Sequence, residues 1–135
     1  FLKIAWQSIA NSYNQIGAQF EITQAVGYML INIYKEGTSV SQIASLLGLK
    51  STSLSRMLNN MEQQGLVYRE VDPNDRRSVK IFLTERGKQK RQIAKKVVQN
   101  FNEYLNIHIS ENERLQLTAS LKKISQLTLA YKPKE

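Results

Sequence analysis

Residues 51 to 60 gather short hydroxyl and amide side chains around one guanidinium: Ser51, Thr52, Ser53, Ser55, Arg56, Asn59 and Asn60. Set along one side of a helix, these groups can hydrogen-bond base edges and phosphate oxygens in a DNA major groove. A second set follows in the run Asp72-Pro73-Asn74-Asp75-Arg76-Arg77. Arginine side chains favour narrow, A·T-rich minor grooves, where the negative potential is concentrated. Asp75 fits this chemistry as an orienter that fixes one Arg by charge-assisted hydrogen bonds. The plainer reading is an exposed turn whose surface ion pair contributes little. As paired catalytic carboxylates, Asp72 and Asp75 lack a base or ligand set, and Arg76 and Arg77 would hold both ionised.

The supply of other reactive groups is thin. The chain has no cysteine and one histidine, His108. Disulfides, thiolate metal sites and cysteine nucleophiles are therefore excluded, and no metal or other cofactor is expected. His108 stands near a helix boundary, where a surface or capping role accounts for it. Charge points the same way as the Arg-bearing motifs. The formal net charge is +8, and residues 66–100 hold ten Lys and Arg against four Asp and Glu. So concentrated a basic block suits a polyanion, either nucleic acid or an anionic surface. A solvated helix face is the alternative, above all for Lys88, Lys90, Arg91, Lys95 and Lys96.

Elements of two kinds must hold these residues. Leu2, Trp6, Ile9, Tyr13, Ile16 and Phe20 form a helical stripe suited to packing on another helix. Thr23 can cap a second helix with Val26, Met29, Leu30, Ile33 and Tyr34 on its apolar face, ending at Gly37. Ser41 can cap a short third helix that stops at Gly48, and Ser51 or Ser53 can start a fourth through Leu54, Met57, Leu58 and Met61 to Gly65. The period then changes. Residues 66–71 and 78–83 are β-rich runs, and the turn formers between them predict a hairpin with a longer loop. Thr84 can cap a long fifth helix with Ile93, Val97, Phe101 and Leu105. Ser110 and Glu113 have capping-box spacing for a sixth, which carries Leu117, Leu121, Ile124 and Tyr131. Met29, Met57 and Met61 sit at core spacing.

Composition agrees with one globular domain: 41% of residues are hydrophobic and 22% charged, too apolar for disorder. No apolar run nears the ~18 residues that a membrane span needs. The chain opens at Phe1 without a signal-peptide pattern or an initiator Met, so a few residues are expected before it. The expected fold is mainly α, in the order α-α-α-α-β-β-α-α, as a single winged-helix domain over 1–135. Residues 1–20 and 101–135 are the expected dimerisation helices, and 23–100 the DNA-binding lobe with its wing at 66–84.

Ile43, Ala44, Leu47, Gly48, Leu49, Leu54 and Met57 fit a helix-turn-helix: Ala44 allows close approach and Gly48 supplies the positive φ of the turn. A hairpin after such a motif is a wing. At this point the sequence resembles a known family. Ser55-Arg56-Met57-Leu58-Asn59-Asn60-Met61-Glu62-Gln63-Gln64-Gly65-Leu66-Val67, then Asp72 to Arg77, then Leu83-Thr84-Glu85-Arg86-Gly87, is similar to the multiple-antibiotic-resistance regulator (MarR/SlyA) family. The resemblance covers essentially the whole chain.

It implies a homodimeric transcription regulator of a bacterial type that binds double-stranded, pseudo-palindromic operators and is often released by a small aromatic effector. It implies that the second helix of the motif, through Leu54, Met57, Leu58 and Met61, is the recognition helix, with a minor-groove role for Arg77 and a positioning role for Asp75. Dimerisation falls to the first and last helices, with Leu2, Ile9, Leu117, Leu121, Ile124 and Tyr131 as expected contacts. Peroxide sensing through an N-terminal cysteine is excluded, since there is none. Trp6, Tyr13 and Tyr28 are candidates to line an effector cavity, with a core or interface role the plainer account. A cytoplasmic repressor is expected, with no membrane partner and no enzymatic activity. The rival is a winged-helix module that binds protein or coats DNA without sequence choice.

Overall fold

A computed structural model describes all residues, 1–135, of the chain. The helices are α1 (Leu2–Ala18), α2 (Gln24–Ile31), α3 (Val40–Leu47), α4 (Ser51–Gln63), α5 (Glu85–His108) and α6 (Glu111–Ala130). The strands are β1 (Thr38–Ser39), β2 (Val67–Asp72) and β3 (Asp75–Leu83), joined in one antiparallel sheet in the order β1-β3-β2. The chain divides into two compact units, Phe1–Val98 and Gln99–Glu135. No helix is long and apolar enough to cross a membrane.

In the first unit, Met29, Leu30, Ile33, Ile43, Leu54, Leu58, Met61, Leu66, Val67, Ile81 and Leu83 form one buried cluster. It joins α2, α3 and α4 to the sheet, so the helix-turn-helix and the wing share one core. Each such side chain contributes roughly 1.5–3 kcal/mol on burial. Two close approaches fix the frame. The turn after α1 closes with the Ile22 N–H donating to the Gly17 carbonyl at 2.9 Å. At the start of α5, a Cβ on Gly87 would lie 1.9 Å from the Leu66 carbonyl oxygen, so only glycine fits there.

Several boundaries differ from the sequence expectation. α2 stops at Ile31 with Asn32 as its C-cap, well before Gly37, because the chain must turn to pair β1 with β3, Thr38 opposite Ile81. β1 is too short for periodicity to reveal, and Thr38 is buried there, accepting from the Tyr34 N–H at 3.0 Å. Ser39, not Ser41, caps α3, in a reciprocal capping box with Gln42. Lys50 precedes α4 with no side-chain cap. The wing has no long loop: Asp72 pairs with Asp75 around Pro73-Asn74, so Asp75, Arg76 and Arg77 begin β3. Ser110 caps α6, accepting from the Glu113 N–H at 3.2 Å. Tyr131 lies just past the end of α6 in extended backbone.

Candidate nucleic-acid interface

α3 and α4 are joined by Gly48, whose φ of 60° is left-handed backbone that an L side chain enters only with strain. The turn directs Leu54, Leu58 and Met61 of α4 into the core. It leaves Ser51, Thr52, Ser53, Ser55, Arg56, Asn59 and Asn60 exposed together. The first turn of α4 carries no acidic residue and no side-chain cap, so its N–H groups and positive dipole end favour an anion.

The wing is built by its own backbone chemistry. The Asp72 carboxylate accepts from the Asn74 N–H at 2.9 Å, and the Asp75 carboxylate from the Arg77 N–H at 3.0 Å. Asp75 therefore holds Arg77 through its main chain, and its carboxylate makes no ion pair with either guanidinium. The two ion pairs of the structure are Arg69–Glu62 and Lys88–Glu85. Arg76 and Arg77 are both exposed. Successive strand residues point to opposite faces, so one guanidinium cannot duplicate the other. Arg77 lines a groove with Ser39, Ser41, Arg69 and Ser78, where β1 brings the start of α3 against β3; Arg76 stands outside it.

Arg69 is the residue that the sequence reading missed. It rises from β2, and its guanidinium meets Glu62 at 2.6 Å and the Asn59 Oδ1 at 2.7 Å, both on α4. A Glu at the end of a helix followed by an Arg on the next strand was the available signal.

The basic block splits in the structure. Lys95 and Lys96 are exposed, whereas Lys90 Nζ donates to the Phe20 carbonyl and Lys88 pairs with Glu85. No group of three or more His, Cys, Asp or Glu side chains could hold a metal ion. His108 packs its ring on Tyr104, centroids 4.6 Å apart.

Away from this surface, a small cleft is lined by Tyr13, Phe20, Tyr28, Ile31, Ile93 and Val97, among others. Burial pushes the Tyr13 hydroxyl above the ordinary phenol range, so it stays protonated at neutral pH. Tyr28 also lines the cleft; Trp6 does not, being too near the start of α1, and is 55% exposed. The terminal helices leave apolar side chains bare. Leu2, Leu117, Leu121, Ile124 and Tyr131 are exposed, and Ile9 is half-buried.

Residues 20–78 match the MarR family model. The HTH-type transcriptional regulator TtmR of Methylorubrum extorquens is 35% identical over 85 residues, 62% of this chain and 44% of TtmR. The match thus spans less than half of that relative's length. Among solved structures, Staphylococcus aureus MepR in complex with DNA superposes with a TM-score of 0.84 at 26% identity, covering 93% of each chain. A mutant MarR from Escherichia coli, complexed with operator DNA, gives a TM-score of 0.81 at 25% identity, over 91% of this chain and 89% of that one. The transcriptional regulator SlyA shares the fold at 23% identity, with a TM-score of 0.83 over 94% and 90% of the two chains.

Proposed function

We propose that this chain, whose residues 20–78 match the MarR family model, is a homodimeric, sequence-specific winged-helix repressor of that family that binds a pseudo-palindromic operator in the cytoplasm. The α4 surface supports this reading most. Seven polar side chains are exposed on one face of a helix whose other face is locked into the core.

In this reading α4 enters the major groove. Ser51, Thr52 and Ser53 take phosphates at its N-terminal turn, and Ser55, Arg56, Asn59 and Asn60 reach base edges. Arg77 enters the flanking minor groove with its backbone set by Asp75, and Arg76 binds an adjacent phosphate. The fold shared with DNA-bound MepR and MarR supports this geometry. The bare apolar residues of α1 and α6 pack on a second copy, which gives the two recognition helices that a palindrome needs.

A small aromatic effector occupies the Tyr13–Tyr28 cleft and releases the DNA. A largely apolar wall carrying the phenols of Tyr13 and Tyr28 suits a ring bearing a hydroxyl or carboxyl group.

Competition band-shift tests the reading against its rival. A labelled duplex chosen by the protein from a random pool should resist a large excess of scrambled duplex. Equal competition by both would mean sequence-blind coating instead.

A further inference from the structure

Arg69 has no place in the proposed set of DNA contacts, yet it grips a member of that set. Its guanidinium donates through Nη2 to the Asn59 Oδ1 at 2.7 Å, while its Nε faces Glu62 Oε1 at 2.6 Å. Asn59 and Glu62 are one turn apart on α4, so a strand of the wing clasps the exposed side of the recognition helix at two points.

The clasp has a chemical consequence. A guanidinium has donors and no acceptor, whereas a carboxamide has one end of each kind. Only the Asn59 oxygen can face Arg69, because a flipped amide would set donor against donor. The Nδ2 amino group is therefore the end left to a ligand. An unrestrained Asn pairs with adenine through both ends at once, accepting from N6 and donating to N7. With its oxygen turned toward Arg69, Asn59 presents its amino group outward, which suits edges whose acceptors have no donor beside them, O6 and N7 of guanine or O4 of thymine; adenine offers N7 too, but sets its N6 donor beside that amino group.

We propose that Arg69 is a specificity-determining positioning residue, which fixes the Asn59 amide so that it selects guanine or thymine and disfavours adenine at one half-site position. This rests on the DNA-binding reading above. Glu62 anchors the guanidinium without taking part in the selection.

The test is the affinity of the full chain and its variants for duplexes carrying each base at every half-site position, at one salt concentration. The parent should discriminate against adenine at one position by at least about fivefold, the low end for a good base contact. Asn59→Ala should erase that preference. Arg69→Met should free the amide and raise tolerance of adenine there, with other positions unchanged. Glu62→Gln should leave the preference intact. Asn59→Asp keeps the acceptor facing Arg69 but removes the donors, so it should move the preference toward cytosine or adenine, whose exocyclic amines donate. This variant retains the clasp and carries the test even if Arg69→Met folds poorly.

Unchanged preference in Arg69→Met, or an equal loss at all positions, would overturn the proposal and leave Arg69 a structural support. So would Asn59→Asp keeping the parental base. A parent that selects no site would instead overturn the DNA-binding reading, and this inference with it.

Discussion

At the scale of single residues, wing and recognition helix should fail differently. Arg77 is exposed at the start of β3, with its backbone N–H held by Asp75. A minor-groove Arg senses groove width more than base identity. Arg77→Ala should therefore weaken binding to every operator with A·T-rich flanks while the half-site preference persists. Asp75→Ala should reproduce part of that loss, since the Arg keeps its charge and loses its fixed main chain. Arg56→Ala, on α4, should lower discrimination at a defined position by ~1–3 kcal/mol. Binding-site selection with affinities at fixed salt separates the three. Arg77→Ala binding as tightly as the parent would mean that the wing stays out of the groove. The residues of α4 were legible in sequence because the core spacing of Leu54, Leu58 and Met61 dictates which side chains face out. Arg69 carried only the faint signal of a Glu ending the preceding helix, because its partners come from another element and only the fold brings them together.

At the scale of elements, helix and hairpin order followed from period and turn chemistry, while the joints did not. β1 has two residues, and α3 took its cap from Ser39 because pairing of Ser39 with Lys80 fixes where the helix begins. The wing closes more tightly than its run of turn formers suggested: the carboxylates of Asp72 and Asp75 each accept a main-chain N–H two residues on. The joint between wing and α5 gives a direct stability prediction. Gly87→Ala would press a Cβ onto the Leu66 carbonyl, whose partner is the Thr84 N–H. A backbone atom cannot yield as a flexible side chain does, so destabilisation of about 1–3 kcal/mol or more is expected. Urea unfolding measures it, and an unchanged midpoint would show that the approach is looser than described. The basic block of residues 66–100 makes a prediction of another kind. Log affinity for DNA should fall linearly with log salt, with a slope of several neutralised phosphates. Lys90 contributes little to it, because its ammonium already donates to the Phe20 carbonyl. Affinity indifferent to salt would rule out phosphate contacts by this block.

At the scale of the whole molecule, the bare apolar side chains of α6 are the surface proposed to meet a second copy. Leu121 and Ile124 are 42% and 41% exposed in the single chain. Ile124→Asp would place a carboxylate in the proposed interface, where an unpaired buried charge is strongly unfavourable. Light scattering should give the parent twice the 15.5 kDa chain mass, and Ile124→Asp should lower the mass or abolish assembly. A folded parent that is monomeric at micromolar concentration would leave the apolar stripes without their proposed cover. Whether two copies read one symmetric site is decided most directly by selection from random duplex DNA. Enrichment of an inverted repeat is expected, with half-sites centred about one helical turn, or a multiple of it, apart. Recovery of sequences with no shared motif, or of a single half-site with no symmetric mate, would contradict the symmetric reading.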